Sequence, residues 1–206
     1  VNNQVIMFGS HDIIERTVTK QPDMLVDYYT LGRFRQSSLY KQAPIAITTT
    51  YVAPMSYERK YVITDNGDDT FQITAEETDS QSEFTCQGTY GQPLETSQFF
   101  LTIQKSDLYI PNFSIGFTLH TLETVISQYS AKLSFEFLMT GASVVEVAVT
   151  GDVPQRDADF INGLCEEFLA DNLSRKNDAA IKTIEFINDQ LEQLSDSLRL
   201  SEDRLK

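Results

Sequence analysis

The sequence has 206 residues, and its 30 Asp and Glu against 16 Lys and Arg give a formal net charge of −14. A surface of this sign repels the phosphate backbone, so the composition excludes nucleic-acid binding as the function. The length is enough for one domain with an appendage. No apolar run reaches the roughly 18 residues that a membrane-spanning helix needs.

The lack of a long apolar run is expected both for a soluble protein and for a membrane protein that was cut just inside its membrane-spanning helices. The chain begins at Val1, without an initiator Met, and stops at Lys206 inside a predicted helix. We therefore expect a segment cut from a membrane protein. Its two cysteines, Cys86 and Cys165, match neither a redox pair nor a zinc site, which predicts independent, half-buried thiols rather than a disulfide.

The N-terminal segment predicts a short helix followed by an irregular or short-strand stretch. Ser10 is a candidate N-cap, and Pro22 ends the helix. The stretch over residues 28–40 carries two arginines, Arg33 and Arg35. Apolar positions with helical spacing are Ile13, Ile14, Thr17 and Val18.

Between residues 44 and 110 the apolar period changes to two, which is typical of strands. The predicted strands are residues 45–51, 61–64, 71–75 and 99–103. The acidic stretch at residues 65–69 contains Asn66-Gly67, a pair that favours a tight hairpin turn. A calcium loop is the alternative, but the required acidic spacing is not met.

A short amphipathic helix is predicted at residues 119–131, followed by strands at 133–139 and 144–149. Because the last strand is apolar at nearly every position, we expect it in the middle of a sheet, covered on both faces. The fold class that follows is α+β, with a base domain over residues 1–151 built on a mixed sheet with packed helices.

Residues 152–206 predict a long C-terminal helix. Asp152 and Pro154 suit its start, and neither Gly nor Pro occurs after Gly163. Residues 164–206 alone would extend about 65 Å as a helix. A compact protein of this size is only about 43 Å across, so the helix must project from the base domain. The alternative is a helix folded back on itself in two pieces.

The apolar pattern changes along this helix. Its first part carries a broad stripe suited to packing on a sheet, namely Phe160, Ile161, Leu164, Cys165, Phe168 and Leu169. Its distal part has the narrow spacing of three and four residues that is typical of a coiled coil. The predicted helix–helix interface comprises Ile184, Ile187, Leu191, Leu194 and Leu198, and continues to Leu205.

Candidate catalytic groups are sparse in this sequence. His11 and His120 have no second His at ligand spacing and no GxSxG motif, and the paired carboxylates Glu76-Glu77 and Glu166-Glu167 are interpreted as solvated charge. We expect no catalytic residue, no metal site and no cofactor. Arg33 and Arg35 could contact a sugar phosphate or a carboxylate of a neighbouring subunit, although ordinary surface arginines are the alternative.

Several short motifs resemble the Wzz-type chain-length determinants, also called polysaccharide co-polymerases, especially those fused to a bacterial tyrosine autokinase. The N-terminal matches are Tyr28-Tyr29, Gly32-Arg33, Leu39-Tyr40 and Pro44-Ile45. The most specific match is the run TIEFI at residues 183–187, preceded by Lys176-Asn177. Gln190 departs from the pattern, where the family would carry Arg.

The resemblance implies the periplasmic domain of a bacterial inner-membrane protein, flanked by two membrane helices that are missing here. It implies homo-oligomers whose subunits meet side by side and through the long helix. It also implies partners that polymerise and export capsular or exopolysaccharide. A tyrosine kinase domain would follow outside this segment, in which no phosphate-binding loop of the form GxxxxGK[ST] occurs.

Two other classes of function fit less well. A periplasmic adaptor of a secretion or efflux system also combines long helices with β-structure, but it flanks a helical hairpin with two β-rich halves. Here no β-rich half follows the long helix. A free-standing carbohydrate-binding module would be expected to contain Trp, which is absent, and the Tyr residues are scattered.

Overall fold

The computed structural model describes residues 8–32, 36–78, 80–137 and 145–203, and it describes side chains of the last helix up to Ser195. The helices are α1 (His11–Thr19), α2 (Leu122–Lys132) and α3 (Pro154–Asp203). The strands are β1 (Val26–Thr30), β2 (Ile45–Val52), β3 (Lys60–Asp65), β4 (Thr70–Ala75), β5 (Phe84–Thr89), β6 (Pro93–Glu95), β7 (Phe99–Lys105), β8 (Ser114–Leu119), β9 (Leu133–Phe137) and β10 (Val145–Val149). The predicted α+β class is confirmed.

Two antiparallel sheets share one apolar core. The larger sheet has five strands in the order β1-β8-β3-β4-β5, and the smaller has three in the order β2-β7-β6. Alternate side chains of both sheets point inward because successive residues of a strand face opposite sides. The fully buried members of this core include Tyr61, Ile63, Phe71, Ile73, Phe99, Leu101, Ile103 and Phe117. The ring of Tyr61 stacks on Phe117 at 5.2 Å and meets Phe99 edge-on at 5.6 Å.

A second core lies where α1, α2 and the first part of α3 pack together. Its buried members are Ile13, Ile14, Val18, Met24, Val125, Ile126, Tyr129, Phe160 and Leu164. The predicted burial of one face of α1 is confirmed. The broad stripe at the start of α3 packs against these helices rather than on a large sheet, and Leu169, which we assigned to the stripe, is 65% exposed. That assignment is wrong because Leu169 lies on the solvent-facing side of α3, whereas Phe168 is buried and Asp171 pairs with Arg16 of α1.

The last strand, β10, does not lie in mid-sheet as predicted. Within the described residues it pairs with β9 alone, in a two-stranded ribbon. Val147 and Val149 are half-buried beneath the helical core, whereas Glu146 is exposed. The apolar run of β10 therefore predicted that the strand is covered, but it did not predict how many neighbouring strands the sheet contains.

The acidic stretch at residues 65–69 forms a turn between β3 and β4, as predicted. The N–H of Asn66 donates to the carbonyl of Thr70 at 3.1 Å, and positive φ angles occur at Gly67 (81°) and Asp69 (64°). The buried carboxylate of Asp65 accepts hydrogen bonds from the N–H of Gly67 and, in addition, from Tyr90, Tyr109 and Asn112. This carboxylate therefore joins the turn to the loop before β8.

The helix α3 is continuous over 50 residues, which corresponds to about 75 Å. Every residue from 173 to 195 is exposed. The predicted single projecting helix is confirmed, and the folded-back alternative is wrong for the described residues. Within those residues, no helix combines the length and apolarity that crossing a membrane requires.

Candidate functional site

The long helix is held to the base domain at its N-terminal end. Phe160 is fully buried and stacks on Tyr129 with 4.0 Å between ring centroids. The guanidinium of Arg156 pairs with the Asp27 carboxylate of β1 and donates to the carbonyl of Met24 at 2.7 Å. The helix is thus fixed at two successive turns, by the charge-assisted hydrogen bond of Arg156 and then by the aromatic contact of Phe160.

Ion pairs extend this attachment along α1. Lys20 pairs with Glu167, and Arg16 pairs with Asp171 at 3.0 Å. Asp171 also accepts from Arg175 at 2.6 Å, four residues further along the helix. Because every residue from 173 to 195 is exposed, the free part of α3 begins near residue 172.

His120 lies at the centre of a polar cluster beside this attachment. Its Nε2 is 3.0 Å from Asp27, and its Nδ1 is 2.7 Å from Glu58. Glu58 has a positive φ of 61°, and its N–H donates to the carbonyl of Leu119 at 2.8 Å, which places its carboxylate beside the imidazole. Burial lowers the pKa of His120, but the hydrogen bonds and charges of Asp27 and Glu58 outweigh burial, so its pKa is raised. Sequence reasoning treated His120 as structural and did not predict this cluster.

This cluster predicts a pH-dependent stability. A His whose pKa is raised by folding stabilises the fold fully below its unfolded pKa of about 6.5, and the contribution is lost as pH rises through the folded pKa. We expect the free energy of unfolding to fall between about pH 6 and about pH 9, and to fall less in the His120→Gln variant. Urea unfolding at both pH values measures this, and equal losses in the two proteins would contradict it.

The free part of α3 carries one exposed apolar stripe. Four residues of the predicted interface are exposed: Ile184 (59%), Ile187 (50%), Leu191 (58%) and Leu194 (60%). Successive residues of a helix are rotated by about 100° around its axis, so side chains spaced three and four residues apart lie on one side of the helix. The same spacing extends the stripe backwards to Leu173 and Leu169, which are 62% and 65% exposed. We call the line of exposed residues from Leu169 to Leu194 the apolar seam.

The positions that flank the distal seam are uncharged. They are occupied by Ile181, Thr183, Asn188 and Gln190, whereas acidic residues such as Glu185, Asp189 and Glu192 lie further round the helix. Facing copies of the seam would therefore not bring carboxylates together, despite the net charge of the chain. The neutral flanks also widen the surface that a partner helix can cover.

Several predicted site residues remain outside this description. Leu198 belongs to the same helix, but its side chain is not among the described ones, and Arg33 and Arg35 lie outside the described residues altogether. Sequence reasoning missed Leu173 as a seam residue and placed Leu169 on the base. The spacing of three and four residues that continues backwards from Ala180 through Asn177 to Leu173 was the available signal.

Two of the other polar residues considered from sequence, His11 and Glu167, lie in ion pairs. His11 lies 3.7 Å from Glu15 and 3.6 Å from Glu123 on the surface, and Glu167 is engaged by Lys20. Among the described residues no group of His, Cys, Asp or Glu is arranged to hold a metal ion. Cys86 and Cys165 are half-buried free thiols, as predicted.

No protein-family model matches the chain, and a search of curated proteins finds no match. Among solved structures, the chain shows likeness to FlgL of Xanthomonas campestris in two crystal forms. In space group H3 the identity is 12% over 69% of this chain and 40% of FlgL, with a TM-score of 0.25. In space group C2 it is 15% over 87% of this chain and 54% of FlgL, again with a TM-score of 0.25. The chain thus spans about half the length of FlgL or less, and a likeness this low carries no argument.

Proposed function

We propose that this chain is the extracytoplasmic domain of an inner-membrane polysaccharide co-polymerase, and that it acts as a non-catalytic oligomeric scaffold. It regulates the chain length and export of a capsular or exopolysaccharide from the periplasmic face of the membrane. The observation that carries the proposal is the apolar seam on a helix that has left its own base domain. The resemblance of the TIEFI run at residues 183–187 to Wzz-type proteins supports the same reading, because Ile184 and Ile187 of that run belong to the seam.

The seam favours a helical partner over an isolated helix. Six large aliphatic side chains, each half or more exposed, line one side of α3: Leu169, Leu173, Ile184, Ile187, Leu191 and Leu194. Burying apolar surface is worth about 25 cal/mol per Å². A helix of another copy with the same seam would remove these side chains from water on both partners. The seam of one copy can therefore serve as the binding surface of the next.

The attachment of α3 gives this assembly a defined geometry. The ion pairs and the buried Phe160 fix the angle at which the helix leaves the base, so copies that meet through their helices also set the spacing of their base domains. Such an assembly can hold a polymerase and its growing polymer at a constant distance. Chain length is then regulated by geometry, without an active site in this domain.

Polysaccharide chain length tests the proposal in cells that make the full-length protein. We expect the Ile187→Asp variant to lose the preferred polymer length, because a carboxylate in the seam prevents close contact between apolar helices. The Phe186→Asp variant is the matched control, since Phe186 is 63% exposed but lies off the seam. Polymer size is measured by gel electrophoresis at equal protein levels. An unchanged size distribution in the Ile187→Asp strain would refute the function.

A further inference from the structure

We propose that a groove on the outer face of the five-stranded sheet binds a segment of uncharged glycan. The inference rests on the proposed function for the presence of a polysaccharide, while the groove itself is argued from its own residues. The groove has a volume of about 730 Å³, within the range of roughly 300 to 1,000 Å³ that small-molecule sites occupy. No residue of the apolar seam lines it.

The floor of the groove is a row of residues in register across the sheet. Tyr29 of β1 pairs with Gly116 of β8, which pairs with Val62 of β3, which pairs with Thr74 of β4. The neighbours of these residues along each strand, such as Tyr28, Phe117 and Ile63, point into the buried core. The row therefore faces the opposite side, and Tyr29, Val62 and Thr74 are only partly buried there.

The aromatic ring of Tyr29 in the groove floor is held in place against Gly116. A Cβ atom at Gly116 would lie 2.0 Å from Cε2 of Tyr29, so the tyrosine ring lies directly on bare backbone. One face of the ring is thus supported by the sheet at a point where the side chain lines the groove. Supported aromatic rings of this kind offer an apolar surface with a polar tip.

The walls of the groove are braced by hydrogen bonds between their segments. Arg59 is only 7% exposed, and its guanidinium donates to the carbonyls of Glu76 (3.0 Å) and Ser82 (2.7 Å). Gln81, on the same wall as Glu76, donates to the carbonyl of Met55 and so ties this wall to the segment before β3. The groove is therefore formed before any ligand arrives, which lowers the entropic cost of binding.

The chemistry of the lining selects the class of ligand. Glu76 and Glu77 line one wall with Thr78, Ser80 and Gln81, and Tyr57 lines the other. Hydroxyl, amide and carboxylate groups can each bond a sugar hydroxyl, and the C–H face of a sugar ring suits an aromatic surface. The carboxylates of Glu58, Glu76 and Glu77 outnumber the cations Arg59 and Lys60 in the lining, and together with the net charge of −14 they oppose an anionic polymer. An uncharged glycan satisfies both conditions.

A peptide strand fits this groove less well than a glycan. Peptides that extend a sheet bind to the unpaired backbone of an edge strand. Here the edge of β1 is covered, because Thr30 donates to the carbonyl of Ser37 at 3.0 Å and Leu39 donates to the carbonyl of Tyr28 at 2.8 Å. The groove floor thus offers side chains rather than free backbone groups.

The test uses oligosaccharides released from the surface polysaccharide of the source cells and separated into uncharged and anionic fractions. We expect the folded chain to bind the uncharged fraction in calorimetry, and Tyr29→Ala and Glu77→Ala each to weaken binding, the first by about tenfold or more. Tyr51→Ala is the matched control, because Tyr51 is 57% exposed on the other sheet. Thermal unfolding confirms that each variant is folded, and in the part of the chain that the structure describes Glu77 makes no hydrogen bond whose loss could unfold it.

Binding of the anionic fraction alone, no binding of the uncharged fraction, or equal binding by all variants would overturn the inference. So would a change in self-association, rather than in glycan binding, in the groove variants, since a second copy would then be the occupant. The two proposals fail separately. If the chain binds glycan but Ile187→Asp leaves the polymer length unchanged, only the scaffold proposal is rejected. If Ile187→Asp changes the polymer length but the groove binds no glycan, only the groove proposal is rejected.

Discussion

Replacing Ile187 and Leu191 together by Asp is expected to weaken self-association of the domain by at least about 100-fold, since each buried, unpaired carboxylate costs several kcal/mol and 1.4 kcal/mol is a factor of ten. Both side chains are half or more exposed in the single chain, at 50% and 58%. The fold of the monomer should therefore not change. Sedimentation velocity over a range of protein concentrations measures the association, and circular dichroism verifies the helix content.

The matched control adds the same charge to the same stretch of the helix. Phe186→Asp with Gln193→Asp places two carboxylates one residue before Ile187 and one residue before Leu194, off the seam by about 100°. We expect this variant to associate like the original protein. Equal weakening by the control would show that net charge, rather than the seam, governs association, and an unaffected seam variant would show that the contact lies elsewhere.

Phe160→Ala is expected to lower the free energy of unfolding by about 3 to 5 kcal/mol, the usual cost of removing a buried aromatic side chain. Phe160 is fully buried where α1, α2 and α3 meet, and its ring stacks on Tyr129 at 4.0 Å. Its loss leaves a cavity at the attachment of the long helix. Urea unfolding followed by circular dichroism measures the effect.

Phe186→Ala is the control for this prediction, because it removes the same side chain from the exposed part of the same helix. We expect a change within about 0.5 kcal/mol. A cost below about 1 kcal/mol for Phe160→Ala would mean that the helical core can close over the lost ring, contrary to its tight packing. The attachment of α3 would then rest on the ion pairs of Arg16 and Arg156 instead.

Elements with a strong period were predictable from sequence. The apolar positions of α1 and the alternation in β2, β3, β4 and β7 reflect one buried face each, which is a local property of the chain. The length of α3 was predictable for the same kind of reason, since an uninterrupted run without Gly or Pro has few alternatives. The seam residues from Ile184 to Leu194 follow directly from that helix.

Strands that contain a glycine were missed, because the glycine serves a contact with a distant residue. In β8, Gly116 makes room for the ring of Tyr29, and in β5, Gly88 lies under the ring of Phe71, where a Cβ atom would come within 2.5 Å. Such a residue weakens the local strand pattern while tertiary packing requires it. Edge strand β6 is only 3 residues long and has no period to detect.

Sites that are assembled from distant segments of the chain could not be predicted from sequence either. The cluster around His120 draws its partners from β1, from the segment before β3 and from the start of α3. The groove floor exists only once β1, β8, β3 and β4 are in register. The exposure of Leu169 depends on which side of α3 faces α1, and the point at which α3 leaves the base depends on the position of α1, neither of which a period within α3 can show.

Whether copies meet through the apolar seam is tested by cross-linking the domain while it is tethered to a lipid bilayer. The two native cysteines are replaced, and a single Cys is placed at Ile187 or, as the control, at the neighbouring Phe186. With a mild oxidant added, we expect rapid disulfide formation between copies that carry Ile187→Cys and much slower formation with Phe186→Cys. Equal rates at the two positions, or no disulfide at Ile187 at high surface density, would contradict it.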